Sequence, residues 1–332
     1  LRSLIYFTRE QHYVLGAEAA QRFLREETGR RPIYEDKVVG TIENTVAQQF
    51  KGALDPDGPI TIIYDVTIAE DVGVRGRLLQ SIKTGLRSDS YRGTDIFGQY
   101  YTVQELIALI LRHVRAQAEQ TLRREIRQAT IGRPVHFSTD LAADQQAEDR
   151  LREAAALAGL EEVRFVPEPV AAAHAYLEEV HGPETVLIFD FGGGTLDFTL
   201  LRSTAGEDPQ LLATHGVALG GDDLDSAIMR GKVAQHLGVG AAIDRGFDGR
   251  PVPFPEDLAE LLNHWQTIPV LSRPENLALI ERAIKYGDAR SRFVALEALA
   301  TQNHGFALFE KIEACKRTLS FAEKADLTMQ LG

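Results

Sequence analysis

The 332-residue sequence has a single cysteine, a single tryptophan and two methionines. With Cys315 alone no internal disulfide can form, and one thiol makes no metal cluster, so the cysteine usage fits a reducing compartment. No run of about 18 apolar residues is present to span a bilayer, and the opening Leu1-Arg2-Ser3-Leu4-Ile5 lacks the long apolar region of a signal peptide. A cytoplasmic protein is expected. Positive charge is also short: 36 Lys and Arg against 48 Asp and Glu leave −12, which repels a nucleic-acid backbone or an anionic membrane as a bulk partner. A nucleotide is not excluded, because a few backbone N–H groups and a bound cation can hold a phosphate locally. Internal repeats and low-complexity tracts are absent. The composition, 44% hydrophobic and 25% charged, excludes disordered, collagen-like and coiled-coil classes, and the length gives room for two or three folding units. Leu1 is no initiator methionine and the text stops just after a strand-like stretch, so truncation at both ends is expected.

Along the chain, residues 4–7 form a short apolar run, 17–24 a helix, and 60–66 a strand behind the turn residues 55–59. Thr102-Val103-Gln104-Glu105 reads as a capping box, with Leu106, Ile107, Ile110, Leu111, Val114 and Ala118 following at helical spacing. A strand over 129–137, interrupted at Pro134, leads into a helix over 144–158 that Gly159 ends, and then into a strand over 163–166. Pro169 suits the first turn of the next helix. Residues 186–189 read as a buried strand, 192–194 as a turn, and 196–200 as a returning strand. From Asp222 to about residue 321 the pattern is mostly helical, with a proline-rich break at 251–255. The class is α/β.

The sharpest local feature is Phe189-Asp190-Phe191-Gly192-Gly193-Gly194-Thr195-Leu196-Asp197. Three glycines allow a tight turn whose N–H groups converge on one point, the nest logic of phosphate sites, with the Thr195 hydroxyl beside them. Asp190 and Asp197 flank the tip, where Mg²⁺ held by one or two carboxylates and water could bridge to phosphate. A Rossmann or Walker loop is excluded, because a strand follows the glycines instead of a helix. The plainer reading is a turn with solvated acids. Further on, Gly220-Gly221 precede a helix whose N-terminus would offer free N–H groups to an anion, although such a pair is more often only a helix start.

Together these residues resemble the ATPase domain of DnaK-type, seventy-kilodalton heat-shock chaperones, in the actin and hexokinase superfamily. Asp190 to Asp197 is similar to the family's second phosphate loop, Gly220-Gly221 to its later phosphate-contacting glycines, and Pro167-Glu168-Pro169-Val170-Ala171-Ala172-Ala173 to its first connecting motif. Glu313-Ala314-Cys315-Lys316-Arg317-Thr318-Leu319-Ser320 resembles the adenosine-contacting helix, which assigns Glu313, Lys316, Arg317 and Ser320 to base and ribose. Their spacing sets the four on one helical face, with Ile312, Cys315 and Leu319 on another. Without the resemblance, Glu313, Lys316 and Arg317 read as a solvated salt-bridge face. Ser81-Ile82-Lys83 resembles the segment of the catalytic lysine, although a surface lysine is the default there. Gly132 to Phe137, with His136 in place of an aromatic, and residues 232–305 are closer to the divergent YegD-like branch.

The resemblance implies a two-lobed actin-like ATPase fold with ribonuclease H-like lobes. Lobe I would cover 1–180, with an inserted subdomain to about 100 and a core subdomain over 101–180. Lobe II would cover 181–332, with a core subdomain to about 220 and a mostly helical insertion after it. It also implies ATP or ADP with Mg²⁺, organised by Asp190 and Asp197 through water, with Glu168 near the metal-bound water, Thr195 on the γ-phosphate and Lys83 supporting water attack. A slow ATPase with nucleotide-driven lobe closure is the expected function; the alternative is a protein of the same fold that senses nucleotide or binds a partner without hydrolysis. The family's first phosphate loop, its later glycine-rich adenosine motif and its peptide-binding domain are absent from the sequence, and no client or co-chaperone is named by it.

Overall fold

The computed structural model describes residues 3–46, 49–50, 53–54, 60–88, 91–138, 140–177, 182–203, 209–217, 219–246 and 249–331. The turn expected at residues 55–59 lies outside them. Its elements mix helices with several small sheets, and the chain divides into two units, one of residues 1–26 and 76–227, the other of 27–75 and 228–332. The lobe boundary at residue 180 is a division by family likeness.

In the first unit, the apolar run near the start becomes the strand Leu4–Thr8, buried at all five positions and central in a three-stranded antiparallel sheet with Tyr13–Leu15 and Gly76–Gln80. Ile5 and Phe7 pack with Leu86, Ile96 and Leu106, removing several large apolar side chains from water at about 1.5 to 3 kcal/mol each. The capping box is formed: the Thr102 hydroxyl accepts from the Glu105 N–H at 3.1 Å while the Glu105 carboxylate accepts from the Thr102 N–H at 2.8 Å, opening the helix Val103–Leu122. The strands Gln128–Arg133 and Glu162–Pro167 are parallel and joined through the helix Leu141–Leu157, a βαβ unit. Gly159, at φ +82°, ends that helix as expected. Arg115 donates to the carbonyls of Ala158 and Gly159 there, at 3.0 and 2.9 Å.

The helix Glu168–Leu177 follows, and then an antiparallel sheet of Glu184–Phe191, Leu196–Ser203 and Gln210–Val217. Residues 186–189 are not a buried strand: Leu187 is 63% and Phe189 60% exposed. Alternation sends Val186 and Ile188 to the face shared with buried Thr199 and Leu201, while Leu187 and Phe189 go to a face that nothing covers among the described residues.

In the second unit, Tyr34–Val46 and Ile60–Asp71 pair antiparallel as a long ribbon. At its base the buried Glu27 carboxylate accepts from the N–H of Arg75 at 2.8 Å and pairs with Arg30, whose other arm meets Asp71 at 2.7 Å. The helices Pro274–Tyr286, Arg290–Thr301 and Gly305–Leu319 enclose a core that includes Leu271, Ile280, Phe293, Leu296 and Ile312, all fully buried. The proline-rich stretch is less of a break than expected, because Pro251–Pro253 pairs with Ala242–Arg245. The strand-like end of the sequence runs extended without a ladder partner among the described residues.

Candidate functional site

The glycine segment forms the expected hairpin. Phe191 pairs with Leu196 and Asp190 with Asp197, and the Gly192 N–H donates to the Thr195 carbonyl at 2.8 Å, closing the turn. Directly opposed residues of an antiparallel pair share a face, so the two carboxylates stand side by side on adjacent strands. The Thr195 hydroxyl donates to Asp197 at 3.0 Å. None of Gly192, Gly193 and Gly194 is in the left-handed backbone region, so the turn does not demand glycine on that ground. Their missing side chains leave clearance: a Cβ on Gly194 would point into open space, and among the described residues the N–H groups of Gly193 and Gly194 have no hydrogen-bond partner.

The second glycine pair is brought to the same place. Gly221 and Asp222 donate their N–H groups to the carbonyls of Gly192 and Gly193 at 2.9 and 2.8 Å, and the Asp223 carboxylate accepts from the Gly220 N–H at 2.7 Å. A Cβ on Gly220 would fall 2.2 Å from the Gly193 carbonyl oxygen, so this close approach requires glycine. The helix start at 221 therefore does not offer these N–H groups to an anion, as the sequence suggested. It spends them on holding the hairpin tip.

Lys83 and Glu168 also meet. Lys83 lies on the 3-10 turn Ile82–Arg87, and its ammonium pairs with the carboxylate of Glu168, the first residue of the helix Glu168–Leu177. That position suits an acid, since the helix dipole is positive there. Glu168 lies just past the carboxyl end of the strand Glu162–Pro167, the end at which parallel α/β sheets hold ligands. Its helix packs against both parallel strands and against both strands of the glycine hairpin.

In the second unit, Glu313, Lys316 and Arg317 are on the helix Gly305–Leu319 and Ser320 is its C-cap. Glu313 and Lys316 are half-buried, Arg317 and Ser320 exposed, and Ile312 on another face is fully buried.

Two glycines outside the phosphate motifs also approach the site. A Cβ on Gly216 would fall 2.7 Å from an Asp197 carboxylate oxygen, and one on Gly132 would fall 3.1 Å from the Glu168 Cγ. The only signal either gave was a glycine inside a strand, which marks close approach. Among the described residues no group of three or more His, Cys, Asp and Glu could hold a metal by itself. The Asp190 and Asp197 pair nevertheless fits Mg²⁺, an ion held by one or two carboxylates, with water and phosphate oxygens completing its shell.

The model of the Hsp70 protein family matches residues 78–250, just over half of the chain. The chain belongs to the Hsp70 family. The chaperone protein DnaK of Methanothermobacter thermautotrophicus is 33% identical over 183 residues, 55% of this chain and 29% of that protein, so the chain spans under a third of this relative. The Hsp70-matched stretch contains Lys83, Glu168, the glycine hairpin and Gly220-Gly221, and leaves out residues 313–320. With its mixed α/β elements the chain is of the DnaK-type Hsp70 ATPase-domain class, an actin-like fold. Among the described residues no helix is long and apolar enough to cross a membrane.

Proposed function

We propose that the chain binds Mg²⁺-ATP and hydrolyses it slowly, with nucleotide state driving closure of lobe I (1–180) on lobe II (181–332) in a YegD-like, cytoplasmic member of the family. The observation that carries the reading is the hairpin tip, where Gly193 and Gly194 present unengaged N–H groups beside two opposed carboxylates. Glycines needed only for a turn would show the left-handed backbone; these do not. The N–H groups of Gly193 and Gly194 donate to phosphate oxygens, and Thr195 turns its hydroxyl from Asp197 to the γ-phosphate. Asp190 and Asp197 would hold Mg²⁺ through water, and the ion would supply neutralisation of phosphate charge. Gly220 and Gly221 hold the tip in place. Glu168 orients water, and Lys83, released from Glu168, positions the attacking water and stabilises the charge that develops on the transferred group. Phosphoryl transfer asks mainly for such positioning and neutralisation. Glu313, Lys316, Arg317 and Ser320 take the base and ribose, as the likeness implies. A ligand with different affinities for open and closed lobes shifts their populations by that difference.

The test is phosphate release from Mg²⁺-ATP over hours, with nucleotide binding measured on the same sample. Lys83→Ala is expected to slow release by on the order of 100-fold with affinity kept, since one electrostatic contact to the transition state is lost. Asp197→Asn should weaken the Mg²⁺-dependent rate and leave the melting temperature nearly unchanged. Binding without release above background would favour the alternative, a nucleotide-sensing or partner-binding protein; absence of binding would refute both.

A further inference from the structure

The second unit holds a cavity that the nucleotide reading does not use. It measures about 900 Å³ and lies between residues 228–237, one face of the helix Gly305–Leu319, and the extended stretch 323–331. That volume falls within the range of small-molecule sites, and the lining is predominantly apolar, as in such sites. The helix contributes Leu308, Cys315 and Leu319, which lie on the side away from Glu313, Lys316, Arg317 and Ser320. From the extended stretch Leu327, Met329 and Leu331 turn inward at alternate positions and pack on the core. The facing wall includes part of a π-helical turn, Met229–Val233, a geometry that is rare and frequently found at functional sites.

Charge is distributed unevenly around this apolar space. The wall of residues 228–237 carries Lys232 and His236 and no acid, whereas the extended stretch carries Glu323, Lys324 and Asp326. Among the described residues neither Lys232 nor Lys324 has an ion-pair partner. We propose that the cavity binds an elongated apolar molecule with one anionic head, the body against Leu308, Leu327 and Met329 and the head at Lys232. Apolar burial supplies the affinity, and the unpaired lysine on the wall without acids selects the sign of the head.

Cys315 is the sole cysteine of the sequence and lines the cavity, so its alkylation reports on occupancy in the unaltered chain. The probe is dodecanoate below its micelle concentration, with dodecanol as the uncharged control. Saturating dodecanoate is expected to slow reaction of Cys315 with iodoacetamide by about tenfold or more, as occupancy of most molecules requires. Lys232→Ala should weaken protection by dodecanoate about fivefold, the scale of one partly exposed charge pair, and leave protection by dodecanol unchanged. Cys315→Trp, which fills the space, should abolish the calorimetric heat of dodecanoate binding. An alkylation rate that dodecanoate leaves unchanged or accelerates overturns the proposal, as does an undiminished heat with Cys315→Trp or an equal effect of Lys232→Ala on both probes.

Discussion

Gly220 shows how much of the site rests on one missing methyl group. Alanine there would place its Cβ against backbone atoms of Gly193 and Gly194, which cannot swing aside as a flexible side chain could. The hairpin tip and the helix start must then separate, breaking the hydrogen bonds from Gly221 and Asp222. Gly220→Ala is expected to cost about 2 kcal/mol, as overpacking does, and to cut nucleotide affinity; differential scanning calorimetry beside a binding titration checks both. An unchanged melting temperature would mean that the tip is not held in this way. Part of this was legible in the sequence. Asp190 and Asp197 lie seven residues apart around a four-residue turn, so alternation alone sets them opposite each other. The use made of the Gly221 and Asp222 N–H groups was not legible, because it depends on carbonyls about thirty residues earlier. Gly216 and Gly132 escaped for the same reason: each matters through a side chain that only strand register or helix placement brings near.

At the scale of elements, local signals are legible in the sequence and non-local pairings are not. The capped helix Val103–Leu122 and the glycine-ended helix Leu141–Leu157 announce themselves through neighbours within a few residues. The ribbon strand Tyr34–Val46 and the pair Ala242–Arg245 with Pro251–Pro253 carry no such local signal, since a strand declares its partner only in the fold. The βαβ unit is also fastened by contacts that spacing does not reveal. Arg133, at the end of its strand and paired in register with Pro167, meets Asp144 at 2.9 Å and Glu148 at 2.7 Å on the crossover helix and stacks over Phe137. Removing Arg133 would leave the half-buried Asp144 carboxylate without its cation, and Glu148 with Arg152 alone at 3.0 Å, beside the strand that leads to Glu168. Arg133→Met is expected to cost about 3 kcal/mol, the lower end of the range for breaking a buried pair. Burial alone would raise the Asp144 carboxyl, but N–H donation from Phe137 and the Arg133 guanidinium outweigh it and hold it below its ordinary 3.8. A depressed folded value means that the stabilisation is present above about 3.8 and is lost as pH falls through the folded value. Denaturant titrations across pH 2 to 6 should therefore show a shallower acid loss for Asp144→Asn than for the parent chain, and identical slopes would exclude the linkage.

For the whole molecule, the net charge of −12 and the proposed triphosphate ligand pull against each other, and ionic strength separates their contributions. The glycine hairpin acts at hydrogen-bond distance, where salt screens little, whereas the surface charge acts on a nucleotide still approaching through solvent. At about 0.01 M ionic strength the screening length is roughly 30 Å, comparable to a domain, and at 0.15 M it shrinks to about 8 Å. An anionic nucleotide approaching an anionic protein should thus associate faster as salt rises, the reverse of the behaviour of basic nucleotide-binding surfaces. Once it is bound, the local N–H groups and the cation govern release, so the dissociation rate should change little. Stopped-flow fluorescence with a labelled ATP analogue at constant free Mg²⁺ measures both rates. An association rate that climbs with salt while dissociation stays level would support an acidic exterior around a locally neutralised site. If association instead slows, the approaching phosphate is steered by a positive local field strong enough to override the surplus of twelve negative charges. The neutralising role given to the glycine hairpin and its cation would then have to pass to side chains such as Lys83.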